Sequence, residues 1–202
     1  MNTKISMLLA TTLAAIAPLA GAANIAAGAA VTTTGPGFGN SEGWCCGAMA
    51  APATVTDGLT LATGTQWNTG TVFWGGDNVD TADTVTIKLS GAASVSSLFL
   101  QGDNNDTYSV SYLGLDNAWH ALAAIDPNSD SSWGLGDNTS SFSAVTATAF
   151  EIQASGDGAY AVSEFQANGA FLPAVPEPGM GLMFLAGLGA LASIARRRRQ
   201  AR

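Results

Sequence analysis

The sequence predicts an all-β fold, a single antiparallel jelly-roll β-sandwich, set between two non-globular ends. Three observations predict it. The 202-residue chain is rich in Gly, Ser, Thr, Ala, Asp and Asn, with 24 glycines, which suits short strands joined by many turns. Short runs alternate apolar and polar side chains with a period of two. Clusters of Gly, Asp and Asn punctuate those runs, and no helix-period segment occurs outside the two ends.

Residues 1–23 read as a secretory signal peptide. Lys4 supplies the positive start, Ile5–Ala17 the apolar stretch, and Pro18 breaks it. Ala20-Gly21-Ala22 fits the small-x-small cleavage rule, with the cut after Ala22 or Ala23. The competing reading, an uncleaved membrane helix, suits the short stretch and its cleavage site less well. Residues 24–56 form a lead-in and first strand region, with Ala23–Ala30 a loose, low-complexity start.

The strand runs follow in order. Thr71–Trp74 is short, and Thr84–Ser90 (TVTIKLS) places Val85, Ile87 and Leu89 on one face. Ser94–Gln101, Thr107–Leu113, Ala118–Ile125, Ala144–Ala154 and Ala159–Ala167 complete the set. Turns are expected at Gly75–Asn78, Gly102–Asp106, Asp126–Asn128 and Gly156–Gly158. The folding body holds about 150 residues, enough to bury a core.

Charge is unevenly spread. Net charge is −8, but between Asn24 and Pro178 the only basic residue is Lys88, against all fifteen acids, so the body carries 1 − 15 = −14. Such a body cannot hold nucleic-acid phosphates by charge. It attracts cations instead, Ca²⁺ above all.

The C-terminal end has three parts. A linker over 171–178 ends in Pro176, Glu177 and Pro178. Residues 179–195 are seventeen without a charge, read as a transmembrane helix. At about 1.5 Å per residue it spans roughly 25 Å, slightly short of a bilayer core, and arginine stems can make up the difference. Arg196, Arg197, Arg198 and Arg199 head a basic tail over 196–202, which keeps that end cytoplasmic and the acidic body across the membrane. This order of parts closely resembles the PEP-CTERM sorting signal. The resemblance implies recognition by exosortase, a membrane-embedded cysteine enzyme, and cleavage near Pro176–Pro178. It further implies a transient inner-membrane anchor, then delivery to the cell surface or extracellular matrix of a Gram-negative bacterium, in association with exopolysaccharide. The competing reading is a plain single-span anchor.

A second resemblance covers the body. Asp57-Gly58, Trp67, Trp74, TVTIKLS, SLFLQGDNNDTYSVSYL, the Trp119 strand, AFEIQASGDG and Tyr160–Phe165 follow in an order similar to the discoidin-like, galactose-binding-like sandwich, placed here at 57–170. That likeness implies eight strands, ligand loops at one end, carbohydrate binding in many members, and one structural Ca²⁺. The positions matching the metal ligands are Asp57, Thr65 and Glu164. Independently, Glu164 shares strand parity with Tyr160 and Val162, and an inward carboxylate needs a partner that a cation could be. The alternative is a solvated Glu164 at a strand end. The Asp103–Asp106 cluster lacks the glycine and late glutamate of an EF-hand loop and reads as a tight turn.

Five tryptophans bear on sugar binding, because aromatic faces stack on pyranose rings. Trp67 and Trp74 match core positions and Trp119 follows a turn and is expected to pack on a strand, whereas Trp133 and Trp44 sit in polar, Gly-rich segments. Those two are the candidate ligand-binding residues. Cys45 and Cys46 are adjacent, and their spacing excludes a Cys₄ zinc site; export leaves oxidation, separate fates and intermolecular pairing open. His120, the sole histidine, reads as an outward strand residue, and no nucleophile-elbow motif is present. The sequence therefore predicts a non-enzymatic, exported polysaccharide-associated protein. A small surface glycan-active enzyme and a matrix protein without a specific ligand are the alternatives.

Overall fold

Alternating side chains make the strands, and bulges decide how they fold over. The computed structural model describes residues 23–44, 47–75, 83–128 and 133–173. Among these lie β1 (Ala23–Asn24), β2 (Ala30–Thr34), β3 (Val72–Gly75), β4 (Thr84–Asp103), β5 (Thr107–Leu113), β6 (Trp119–Ile125), β7 (Leu135–Ser155) and β8 (Ala159–Phe171), with a 3-10 turn over Pro52–Thr56. Every pairing between them is antiparallel.

Two stretches expected as separate strands, Thr84–Ser90 and Ser94–Gln101, belong to one long β4. Its register against β7 slips between Lys88 and Ala93, so the ribbon turns a corner there instead of ending. The first half of β4 pairs with β2 and with the end of β7, which continues to β5 and β6. The second half pairs with the start of β7 and with β8, which carries β1 and β3 on its other edge. The result is two layers built from one hydrogen-bonded network.

The layers meet through aromatic and branched side chains. Phe150 of β7 packs on Phe165 of β8 with ring centroids 5.4 Å apart, and Tyr108 of β5 meets Trp74 of β3 edge to face. Val85, Ile87, Leu98, Leu100, Val110 and Ile152 fill the space between. Leu98 and Leu100 follow Val95 out of step because a bulge lies between Val95 and Ser97. One inserted residue resets which side chains face the core.

The segment expected as a loose lead-in is packed. Ile25 and Ala26 are buried in the core, β1 pairs Ala23 with Gly169, and β2 pairs along β4. Ala26 is fully buried and Ala29 partly, while Ala23, Ala27 and Ala30 stay exposed, a split that low complexity alone did not reveal. β7 also begins earlier than expected, at Leu135, inside a segment read as loop.

Residues 172–202 form a separate unit, of which Leu172 and Pro173 alone are described. Among the described residues no helix is long and apolar enough to cross a membrane. The expected signal peptide up to residue 22, Cys45 and Cys46, the Pro-Glu-Pro motif, the apolar segment 179–195 and the arginine cluster lie outside the described residues.

Candidate functional site

Antiparallel pairing gathers distant turns at one end of the sandwich. Asp103 at the end of β4 pairs with Leu135 at the start of β7, Thr107 with Ser155, and Gly75 with Ala159. The turns before β7, between β4 and β5 and between β7 and β8 therefore converge, and the β2–β3 connection joins them where Leu135 N–H donates to the Thr65 carbonyl. Between them lies an open pocket of about 190 Å³. Its wall contains Trp44 and Trp133, the two tryptophans singled out in the sequence, with Gln66, Asp103, Asn105 and Asp157 supplying polar groups and Trp67 the floor.

Trp44 and Trp133 are 60% and 61% exposed, whereas Trp67 and Trp74 are buried as expected. Each exposed ring is held by its backbone. Asn40 donates through Nδ2 to the Gly75 carbonyl and to Glu42, and Trp44 N–H donates to the Ser41 carbonyl, so the turn bearing Trp44 is tied to β3. After Trp133 the chain runs close against another loop: a Cβ on Gly134 would sit 2.6 Å from the Thr65 carbonyl oxygen. Gly134 has φ +82, which an L side chain rarely adopts. Leu135 N–H donates to the Thr65 carbonyl, and Asn104 N–H to the Gly134 carbonyl.

The acidic side is preorganised. Asp157 accepts from Asn105 Nδ2 at 2.7 Å and from Ala159 N–H at 3.0 Å. Asp103 is only 4% exposed although it lines the pocket, and its Oδ1 accepts from Asn104 N–H. Burial, with Asp157 nearby, pushes the Asp103 carboxyl up to about 7, against the pull of that hydrogen bond. Behind it Asp106 is 3% exposed; Oδ1 accepts from Asp157 N–H at 3.2 Å, and Oδ2 is buried with no hydrogen-bond partner. Burial, then Asp157 and Asp103, raise Asp106 to about 8. The buried Tyr108 hydroxyl donates to the Ala161 carbonyl at 2.8 Å and accepts from Asp103 N–H and Ala161 N–H, fixing the β4 end to β8.

The residues proposed for calcium divide. Glu164 is fully buried, as the inward reading required, but on a different face. β8 carries a bulge at Ser163, since Gln101 pairs with Glu164 and Gly102 with Val162. Tyr160 and Val162 face the main core, as do Phe165 and Ala167 beyond the bulge. Glu164 turns instead toward the Asp57–Gly58 turn, where Oε2 accepts from Gly58 N–H at 3.2 Å and Oε1 is buried without a partner. Burial raises it to about 7; the Gln166 side chain and Gly58 N–H oppose the rise, and the neighbouring Asp57 charge adds to it. Asp57 and Glu164 are thus together, and the orphaned Oε1 fits a cation or a proton. Thr65 is engaged elsewhere: its hydroxyl donates to the Ala62 carbonyl and its carbonyl holds Leu135. Among the described residues no three His, Cys, Asp or Glu side chains are placed to hold a metal ion together.

His120 is stacked on Tyr112 and bonded to Asp116 on the half-exposed surface. Trp119 is exposed rather than packed, because its strand β6 is at the sheet edge. Asp103, Asn105, Asp157 and Gln66 were not expected at a site. Asp103–Asp106 does include a tight turn, and the same turn is also a wall of the pocket.

Residues 174–199 match the model of the PEP-CTERM protein-sorting motif. The chain carries a PEP-CTERM sorting signal. No curated protein is significantly similar to the chain. Among solved structures it is similar to the CpGH89CBM32-4 module of Clostridium perfringens in complex with glcNAc-alpha-1,4-galactose, at 18% identity over 74% of this chain and 95% of that one, TM-score 0.46. It is also similar to a fucose binding module of Streptococcus pneumoniae, at 12% identity over 72% and 94%, TM-score 0.49. A third is the family 32 carbohydrate-binding module of Streptococcus pneumoniae EndoD, at 15% identity over 72% and 98%, TM-score 0.47.

Proposed function

We propose that this is an exported, non-enzymatic glycan-binding protein that engages extracellular polysaccharide through the Trp44–Trp133 pocket. One observation carries the reading. Two exposed tryptophans far apart in the sequence are brought to one pocket, with Asp103, Asn105, Asp157 and Gln66 beside them. Flat apolar faces flanked by fixed hydrogen-bonding groups are what a sugar ring requires. A glycan array with the wild type, Trp44→Ala and Trp133→Ala tests it. Signal lost in both variants supports the reading, and unchanged signal removes it.

The sorting part rests on the PEP-CTERM motif at 174–199. In this reading exosortase recognises Pro176, Glu177 and Pro178 with the segment 179–195 and Arg196–Arg199, releases the body from a transient inner-membrane anchor, and leaves it at the cell surface. Mass spectrometry of both termini of the mature protein tests that and the N-terminal signal together.

A structural Ca²⁺ at Asp57 and Glu164 is part of the same proposal, supported by the unpartnered Glu164 Oε1 beside a second carboxylate. A second reading, a glycan-active enzyme, draws on Asp103: a carboxyl raised to about 7 beside Asp157 has the acid and carboxylate composition of glycosidase centres. Release of reducing ends from polysaccharide would establish it.

A further inference from the structure

We propose that the Trp44–Trp133 pocket selects glycans that carry a free, protonated amine, such as a de-N-acetylated hexosamine, with Asp103 and Asp157 receiving the ammonium. The inference rests on the glycan-binding reading and adds the class of sugar.

The pocket has acidic groups and no basic side chain among the residues that line it. Asp103 and Asp157 both line it. Lys88 is the only basic residue between Asn24 and Pro178, so no neighbouring loop, described or not, can bring a cation. Lys88 itself lies in the other half of β4, paired with Ala30 and Ala149. His120 is committed to Asp116 at the turn between β5 and β6. An anionic sugar entering this pocket meets repulsion with nothing to offset it.

The Asp103 side chain points to a ligand directly. It is more than nine-tenths buried yet forms part of the pocket wall, and its only hydrogen-bond donor among the described residues is Asn104 N–H, on Oδ1. The second oxygen is left for whatever enters. Burial and Asp157 hold this carboxyl near 7, so it gains more from an arriving cation than a solvated aspartate would. A metal is the poorer occupant. Ca²⁺ takes six to eight oxygens, and among the described residues no three acidic side chains are placed to share a metal ion. An ammonium has three donors to place, and Asp103 and Asp157 accept them. The flanking indoles suit the same ligand, since they stack on the ring and attract a cation through their faces.

The experiment uses the full chain purified in detergent and follows tryptophan fluorescence. The probes are glucosamine oligomers, N-acetylglucosamine oligomers of equal length and glucuronate oligomers. The expected result is glucosamine binding about tenfold or more tighter than the acetylated probe, as a charge-assisted hydrogen bond supplies, with glucuronate weakest. The preference should collapse toward one in Asp157→Asn and Asp103→Asn and shrink in high salt. If Asp103→Asn does not fold, Asp157→Asn decides. Equal binding of the first two probes, both abolished by Trp133→Ala, overturns the amine preference and leaves glycan binding standing. No response to any probe overturns both.

Discussion

Asp106 offers the sharpest test of the pocket's electrostatics, through the substitution Asp106→Asn. Asparagine is nearly the same shape and keeps an oxygen for Asp157 N–H, the contact that ties the two pocket turns together. It removes a carboxyl whose ordinary value of 3.8 is raised to about 8 by burial. The folded protein keeps a proton there that the unfolded chain loses near 3.8. From about pH 4 to about 8 the folded state therefore binds more protons, and stability falls as pH rises. One proton corresponds to a slope of about 1.4 kcal/mol per pH unit, an upper bound because water reaches the surrounding turns. Asp103 and Glu164, each raised to about 7, add slopes of the same sign. Urea unfolding at pH 5, 6 and 7 in chelator, read by tryptophan fluorescence, should show the wild type losing stability throughout. Asp106→Asn should lose about a third less, becoming relatively more stable by about 1–3 kcal/mol over the two units. That is roughly 2–10 °C in melting temperature for a chain this size. Equal slopes for the two proteins, or wild-type stability rising over that range, would refute the claim that Asp106 is buried without a counter-charge.

Other outcomes follow from the same geometry. Trp133→Ala should weaken glycan binding about tenfold, measured by titration, while altering stability by less than about 0.5 kcal/mol, because the ring is mostly exposed. Phe165→Ala, which removes a fully buried ring tilted against Phe150, should lower unfolding free energy by about 3–5 kcal/mol in urea. Tyr108→Phe should destabilise by about 1–3 kcal/mol, since the hydroxyl serves Asp103 N–H, Ala161 N–H and the Ala161 carbonyl in a dry setting. If Glu164 holds Ca²⁺, adding the ion should raise the melting temperature of the wild type and leave Glu164→Gln unmoved; no wild-type response removes the metal. Replacing Arg196–Arg199 with alanine should prevent surface delivery, read by fractionation.

The strands were legible because alternation is local: Thr84–Ser90 and Thr107–Leu113 announce themselves residue by residue. The bulges were not. The extra residue at Ser163 is visible only against the partner strand, so parity placed Glu164 with Tyr160 and Val162 when it faces the opposite way. The burial of Ile25 and Ala26 was equally hidden, since alanine becomes core material only where neighbours come close. Trp44 and Trp133 could be picked as large apolar side chains with little local cover. Their meeting depends on which loops share an end, and that follows from pairing over the whole chain. Asp103 and Asp157 were masked by their other duty, since a turn already accounts for an aspartate.

β8 begins at the pocket with Ala159 and finishes at Phe171, and Ala23 lies beside Gly169 near that finish. At about 3.3 Å per residue the strand covers on the order of 40 Å. Both polypeptide entry and exit therefore occupy the pole remote from the indoles. The chain that continues past Phe171 therefore leaves the body from the end of β8 farthest from Ala159 and the pocket wall.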